Sequence, residues 1–175
     1  MQKWKNTIRR ICVALLAATA LLVFPPIAQA NTPTSVDVYY YEFDSSNRAY
    51  FVTERFEVHG RLAGDEQALL YVRFANLLEN AAPNKIPAVA KGTRLLGVWL
   101  NHDTLFINLS REALSYGGGA AGEHLLIDQL LRNAAAVPNV ACLTLLVEGQ
   151  DIIWPEGSLT SWIPIPIWAA QSFFY

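Results

Sequence analysis

The chain has 175 residues, enough for one domain of ordinary size with a short appendage. Its side chains are 53% apolar and 16% charged, against roughly 25% charged in an average soluble domain, which excludes a disordered chain, a coiled coil and an acidic or basic tail protein. The formal net charge of −2 is unevenly placed: residues 1–30 hold Lys3, Lys5, Arg9 and Arg10 and no acid, so the remainder carries 9 basic and 15 acidic side chains, a sign that repels phosphate and argues against nucleic acid as a partner.

Met1–Arg10 reads as the cationic region of an export signal, followed by the apolar stretch Ile11–Phe24. Pro25-Pro26 stops any helix, and Ala28-Gln29-Ala30 supplies the small residues that predict cleavage between Ala30 and Asn31. This stretch of 14 apolar and small residues falls short of the roughly 20 that cross a bilayer core. Extension through Ile27 and Ala28 keeps an uncleaved anchor as the alternative. No cysteine stands where a lipoprotein signal places one, since Cys12 lies at the start of the stretch. The expected destination is extracytoplasmic, in the envelope or secreted, in a bacterium. After cleavage Cys142 is the sole cysteine, set in the apolar run Val140–Val147, where it reads as a small buried hydrophobe.

Past the leader 31–35, Val36–Phe43 and Ala49–His59 read as paired strands about the turn cluster Asp44-Ser45-Ser46-Asn47. Gly60–Gly64 breaks the pattern, and Asp65-Glu66 opens a helix whose Leu70, Phe74, Leu77, Leu78 and Ala81 form one apolar stripe before Pro83 and Pro87. Thr93–Leu100 and Leu105–Leu109 predict a hairpin about Asn101-His102-Asp103-Thr104. Ser110 is placed to cap a short helix over Arg111–Ser115. A second long helix is expected from about Gly122 to Ala136, with Ile127, Leu130, Leu131 and Ala134 as its stripe. Val140–Val147 is a buried strand, and Glu148-Gly149-Gln150-Asp151 turns into a short strand over Ile152–Trp154. The expected architecture is α+β: one domain over 36–154, a mixed β-sheet with two long helices packed on one face. The remaining tail, 155–175, is rich in proline and aromatics. Its segment Trp162–Tyr175 reads either as a cover over open apolar surface or as an exposed patch that docks on a membrane or partner.

Chemistry is sparse. His59, His102 and His124 make neither H-x-x-x-H nor C-x-x-C spacing. His124 and Asp128 are four apart on one helix and could chelate, but the same pair serves as a solvated helix face. Gly117–Gly122 before a helix invites an anion-loop reading, yet no lysine follows and Glu123 occupies the place of the anion. G-x-S-x-G and S-x-x-K are absent, and paired carboxylates such as Glu54/Glu57 fall on strands. No catalytic, metal or cofactor site is assigned.

The order of pieces resembles a GerMN domain, the module of bacterial sporulation and spore germination proteins. The resemblance rests on Val36–Phe43, Leu77-Leu78-Glu79-Asn80, Ile86-Pro87…Gly92-Thr93-Arg94-Leu95, Phe106-Ile107-Asn108-Leu109-Ser110, Gly119…Gly122-Glu123 and Val140…Leu145-Leu146-Val147-Glu148-Gly149. It covers residues 36–154. Family members often carry a threonine-leucine step late in the second helix, where this chain has Asn133-Ala134. The resemblance implies an exported, non-enzymatic envelope protein acting by contact with envelope proteins or with peptidoglycan, without a cofactor, and supplies no catalytic residue. Membrane proximity would come through the signal segment or the aromatic tail. Asn108, Leu109 and Ser110 read as strand end and helix cap, Gly122 and Glu123 as helix lead-in and N-terminal acid, and Glu148-Gly149 as a strand-ending turn. A secreted hydrolase remains as the third reading, needing a pocket with converging acids.

Overall fold

Alternating valine and tyrosine make Thr34–Phe43 a strand, β1, which buries Val36, Val38 and Tyr40 on one face and turns Asp37, Tyr39 and Tyr41 to the other. The structure is a computed structural model that describes residues 33–46, 48–79, 85–86 and 89–166. The signal segment with its Ala30–Asn31 junction, Ala81, Pro83, Pro87 and the tail beyond residue 166 lie outside the described residues. β2 (Ala49–Val58) pairs with β1 antiparallel, with Val36 opposite Phe56 and Tyr40 opposite Val52. Asp44 sets the turn between them, its carboxylate accepting the Ser46 and Arg48 N–H groups at 2.8 and 2.9 Å.

A short 3-10 turn, Gly60–Gly64, leads to α1 (Glu66–Glu79). Asp65 caps it by accepting the N–H groups of Gln67 and Ala68 at 3.0 and 3.2 Å, and Leu70, Phe74 and Leu77 are its buried stripe. A two-residue strand, β3 (Lys85–Ile86), then pairs with Tyr41 and Glu42 of β1. β4 (Leu95–Asn101) and β5 (Thr104–Leu109) form the expected hairpin, with His102 at φ 55° in its turn. α2 (Gly119–Ala135) crosses over to β6 (Cys142–Val147), which lies parallel to β5. The chain closes on β6's far edge with β7 (Ile163–Pro164), an edge position that tolerates a proline without an N–H.

The class is α+β with two long helices, and its strands divide between two sheets, β2-β1-β3 and β4-β5-β6-β7. The division has a visible cause. Beyond the two residues that pair with β3, the edge of β1 turned away from β2 is closed by side chains. Asn133 of α2 accepts the Tyr39 N–H at 3.0 Å and donates to the Tyr39 carbonyl at 2.8 Å. Gln129, one turn earlier, accepts the Tyr41 N–H at 2.5 Å. Arg73 of α1 donates to the Asp37 carbonyl. Buried backbone groups must be paired, and here two amides and a guanidinium pair them. Gln129 through Ala134 is buried on every side of α2. One core joins both sheets and helices, with Val98, Leu105, Ile107, Leu109, Leu143 and Leu145 supplied by the second sheet.

Two local expectations change. The short strand over Ile152–Trp154 is an isolated bridge between Ile153 and Leu159. A tight turn takes its hydrogen bonds instead: the Trp154 N–H donates to the Ser158 carbonyl and the Gly157 N–H to the Trp154 carbonyl. α2 also starts at Gly119, three residues before the expected Gly122, because Gly118 in the left-handed region starts it.

Candidate interaction surface

The residues singled out by the resemblance interlock at one end of the second sheet. Glu148 and Gly149, at φ 51° and 76°, form the two-residue turn after β6. The Glu148 N–H donates to the Leu109 carbonyl at 2.9 Å, and the Gly149 N–H donates to the Asn108 amide oxygen at 2.8 Å. The Glu148 carboxylate in turn accepts the Arg111 N–H at 3.0 Å. Ser110 is fully buried and sits at the cap position of the 3-10 turn Arg111–Ser115, but its hydroxyl caps nothing there. It accepts the Arg94 N–H at 2.9 Å and donates to Glu112. That hydrogen bond holds the Glu112 carboxyl below the usual range.

Gly122 and Glu123 build a second junction. A Cβ on Gly122 would stand 1.9 Å from the Gly117 carbonyl oxygen, so the loop Tyr116–Gly118 can fold onto α2 only if this residue has no side chain. Glu123 is not a solvated acid near the helix start, as the sequence predicts. With the helix beginning at Gly119 it falls in the second turn and is 1% exposed. It accepts the Tyr116 hydroxyl and the N–H groups of Glu156 and Ser158, the latter two at 2.9 and 3.1 Å. Burial works to raise its carboxyl, but the Ser158, Tyr116 and Glu156 hydrogen bonds outweigh burial and leave it below the ordinary value. Burial, with that same bond, pushes the Tyr116 phenol up. Glu123 thus pins the 154–158 turn, and Trp154, fully buried and stacked on Tyr116 at 6.0 Å, plugs the space beneath.

The chemistry-bearing side chains do not converge. His59 and His124 are exposed and stand 3.5 and 3.4 Å from Glu57 and Asp128, while His102 lies in the hairpin turn. Burial raises the Asp128 carboxyl and His124 lowers it, with a net rise. Cys142 is half-buried and free. Glu54 and Glu57 point to opposite faces of β2; Glu54 reaches Lys85, whose ammonium lies 4.0 Å from the Tyr40 ring centroid. Among the described residues no three histidine, cysteine or acidic side chains form a metal-holding group.

What remains is the outward face of the second sheet. Its inward residues alternate with Trp99 on β4, Phe106 and Asn108 on β5, and Thr144 and Leu146 on β6. Trp99, Phe106 and Thr144 stand opposite one another across three strands. The two rings stack at 5.2 Å and 3°. Trp99 and Leu96 are exposed. At the end of the row the Trp162 N–H donates to the Thr144 hydroxyl at 3.1 Å. Trp162 sits at φ 56° and is 66% exposed, a backbone region that bulky residues rarely adopt. Thr160 and Ile165 bond β6 and Ala141 on either side of it, so the last described segment is an edge strand kinked outward at one tryptophan. The tail's aromatic content was the one sequence signal for this. The edge-closing role of Gln129 and Asn133 had a fainter signal: two amides, four residues apart, inside an apolar run.

The model of the Germane family, sporulation and spore germination, matches residues 37–153. The chain belongs to this family. The chain's fold is similar to that of the tandem GerMN domains of the sporulation protein GerM from Bacillus subtilis (TM-score 0.59, 9% identity, 83% of this chain and 50% of that one). A candidate lipoprotein from Clostridium perfringens is also similar, with a TM-score of 0.51 and 18% identity over 75% of this chain and 87% of that one. At these identities the likeness establishes the fold. No curated protein matches the chain. Among the described residues no helix is long and apolar enough to cross a membrane.

Proposed function

We propose that this Germane-family chain is an exported, non-enzymatic protein of the cell envelope that works by gripping a partner protein through the outward face of its second sheet. The observation that carries the reading is the stacked Trp99–Phe106 pair with Trp99 exposed, in one cross-strand row with Thr144, which receives the N–H of Trp162, itself in a strained conformation with its side chain in water. Exposed aromatics grouped on one face are typical of interaction sites, and strain of this kind gathers where function requires it. The charge pattern of residues 1–30 supports export. The engagement of Glu123, Ser110 and Glu148 in structural bonds supports a role without catalysis.

A photoreactive phenylalanine analogue placed at Trp99 tests the reading in intact cells. The expected result is a discrete crosslinked adduct from position 99 and none from Glu57 on the outer face of β2. The same adducts from both positions would overturn it. The processed chain beginning at Asn31, read by mass, tests export. A second reading has its own support. An exposed indole such as Trp99 is a surface on which sugar rings stack, so a glycan is the alternative ligand. Retention on purified cell-wall sacculi at low salt, lost in Trp99→Ala, would favour it over a protein partner.

A further inference from the structure

A separate cleft of about 660 Å³ lies between the start of β1, the first half of α1, Leu100 of β4 and the loop that follows α2, a volume within the roughly 300–1,000 Å³ of small-molecule sites. Val36, Leu69, Leu70, Leu100, Val137 and Pro138 give it apolar walls. Arg73 is the single cation among the described residues that line it. A guanidinium has five N–H donors. Here one Nη donates to the Asp37 carbonyl and the other to the Ala136 carbonyl at 3.4 Å, which leaves donors over. Among the described residues no carboxylate stands within ion-pair distance, because the Asp37 side chain is held by Arg55 at 2.8 and 3.1 Å and Glu66 sits on the exposed rim. The half-buried guanidinium therefore lines an apolar cleft with its hydrogen bonds given to carbonyls and no direct ion pair, and burial lowers its pKa although Tyr39 and the more distant Asp37 carboxylate work to raise it.

We infer that this cleft binds a carboxylate carried on a short apolar stem, the carboxylate taken by the fork of Arg73 and the stem laid along Leu69, Leu70 and Val137. A planar guanidinium is suited to two-point capture of a carboxylate. The same chemistry is offered by a peptide C-terminus and by a free alkanoic acid.

Nuclear magnetic resonance titration of the full chain distinguishes the two, with N-acetyl-alanyl-alanine, its C-terminal amide and hexanoate as probes. At least one acid is expected to shift the amide resonances of Leu69, Leu70 and Val137, and the dipeptide amide to bind at least about tenfold more weakly than the dipeptide acid. Preference for the dipeptide assigns a peptide terminus, and preference for hexanoate an aliphatic acid. Equal shifts from acid and amide, or no shifts from either acid, would overturn the inference. Arg73→Gln also removes the bond to the Asp37 carbonyl and tests folding as much as binding. Val137→Trp fills the cleft and leaves the guanidinium alone. It is expected to abolish the ligand-induced shifts of Leu69 and Leu70 while the amide spectrum stays that of a folded chain, and retained binding in this variant would equally sink the proposal.

Discussion

The edge of β1 opposite β2 and the outward face of the second sheet treat polarity in opposite ways. At the edge, Gln129 and Asn133 carry polar side chains into the core, at 1% and 0% exposure, and each amide is used on the backbone of Tyr39 or Tyr41. On the face, Trp99, Leu96 and Trp162 carry apolar side chains out into water. The usual partition is reversed at both places, for different reasons. Inside, the reversal is forced, since a buried strand edge without partners leaves N–H and carbonyl groups unpaired at about 1–3 kcal/mol each. Outside, nothing in the fold requires it. The amide pair serves stability, and the aromatic row is free to serve contact.

Breaking the interior side should cost most. Gly122→Ala places a methyl against the Gly117 carbonyl, where both partners are backbone and neither can yield cheaply. The expected loss is about 3 kcal/mol or more, measured by urea denaturation. Next, Asn133→Leu strips the Tyr39 N–H and carbonyl of their partners together and should lose about 2–3 kcal/mol. Gln129→Leu should lose about 1–2 kcal/mol, chiefly through the Tyr41 N–H, since its other bond, to the Ile86 carbonyl, is long at 3.4 Å. Hydrogen exchange locates the effect, with Tyr39 and Tyr41 amides losing protection ahead of the β1–β2 ladder. Full protection in both variants would show that the edge is closed by something else.

Glu123 gives the interior side a pH dependence. Its folded pKa lies below the ordinary value of 4.5, so the unfolded chain binds more protons as the pH falls through that value. Its contribution is therefore present above about pH 4.5 and is lost as the pH falls through the lower folded pKa. Asp128, raised by burial, acts in the other direction, and acid relieves its cost. Glu123→Gln keeps one acceptor oxygen and should cost about 1–2 kcal/mol near neutrality while removing this acid-induced loss. Amides of Glu156 and Ser158 are the reporters.

Where the pattern of apolar residues decides an element, the sequence was readable: β1 by its alternation, α1 by Leu70, Phe74 and Leu77, and the hairpin by the polar tetrad about His102. The candidate site was readable only in its parts. The tail announced its aromatics, but nothing local placed Trp162 beside Thr144, a contact that depends on β7 reaching β6. Asn108, Ser110 and Glu148 could be picked out as a set, yet their bonds join residues up to 41 apart in the chain, and a linear pattern carries no register for such pairs. Glu123 was misplaced for a similar reason. Its partners lie on a turn 33 and 35 residues further on, and three residues of error in the helix start made a buried acid look like a solvated one.

The smallest expected change in stability is also the sharpest test of the exterior side. Trp162 pays a left-handed backbone penalty of about 1–2 kcal/mol, at φ 56°, and its side chain is largely in water. In Trp162→Gly the backbone penalty disappears. Glycine's added freedom in the unfolded chain returns about 0.5–1 kcal/mol. The Thr144 hydroxyl still receives the N–H of residue 162. The two backbone terms nearly cancel, so the melting temperature should stay the same or rise slightly, whereas Trp99→Ala should lose about 0.5–1.5 kcal/mol through its stacking on Phe106. If the row is a contact site, Trp162→Gly will weaken the adduct formed from position 99 in spite of its intact fold. A variant that melts early would mean that Trp162 is held for packing, and one that captures the partner undiminished would mean that the grip lies elsewhere on the surface.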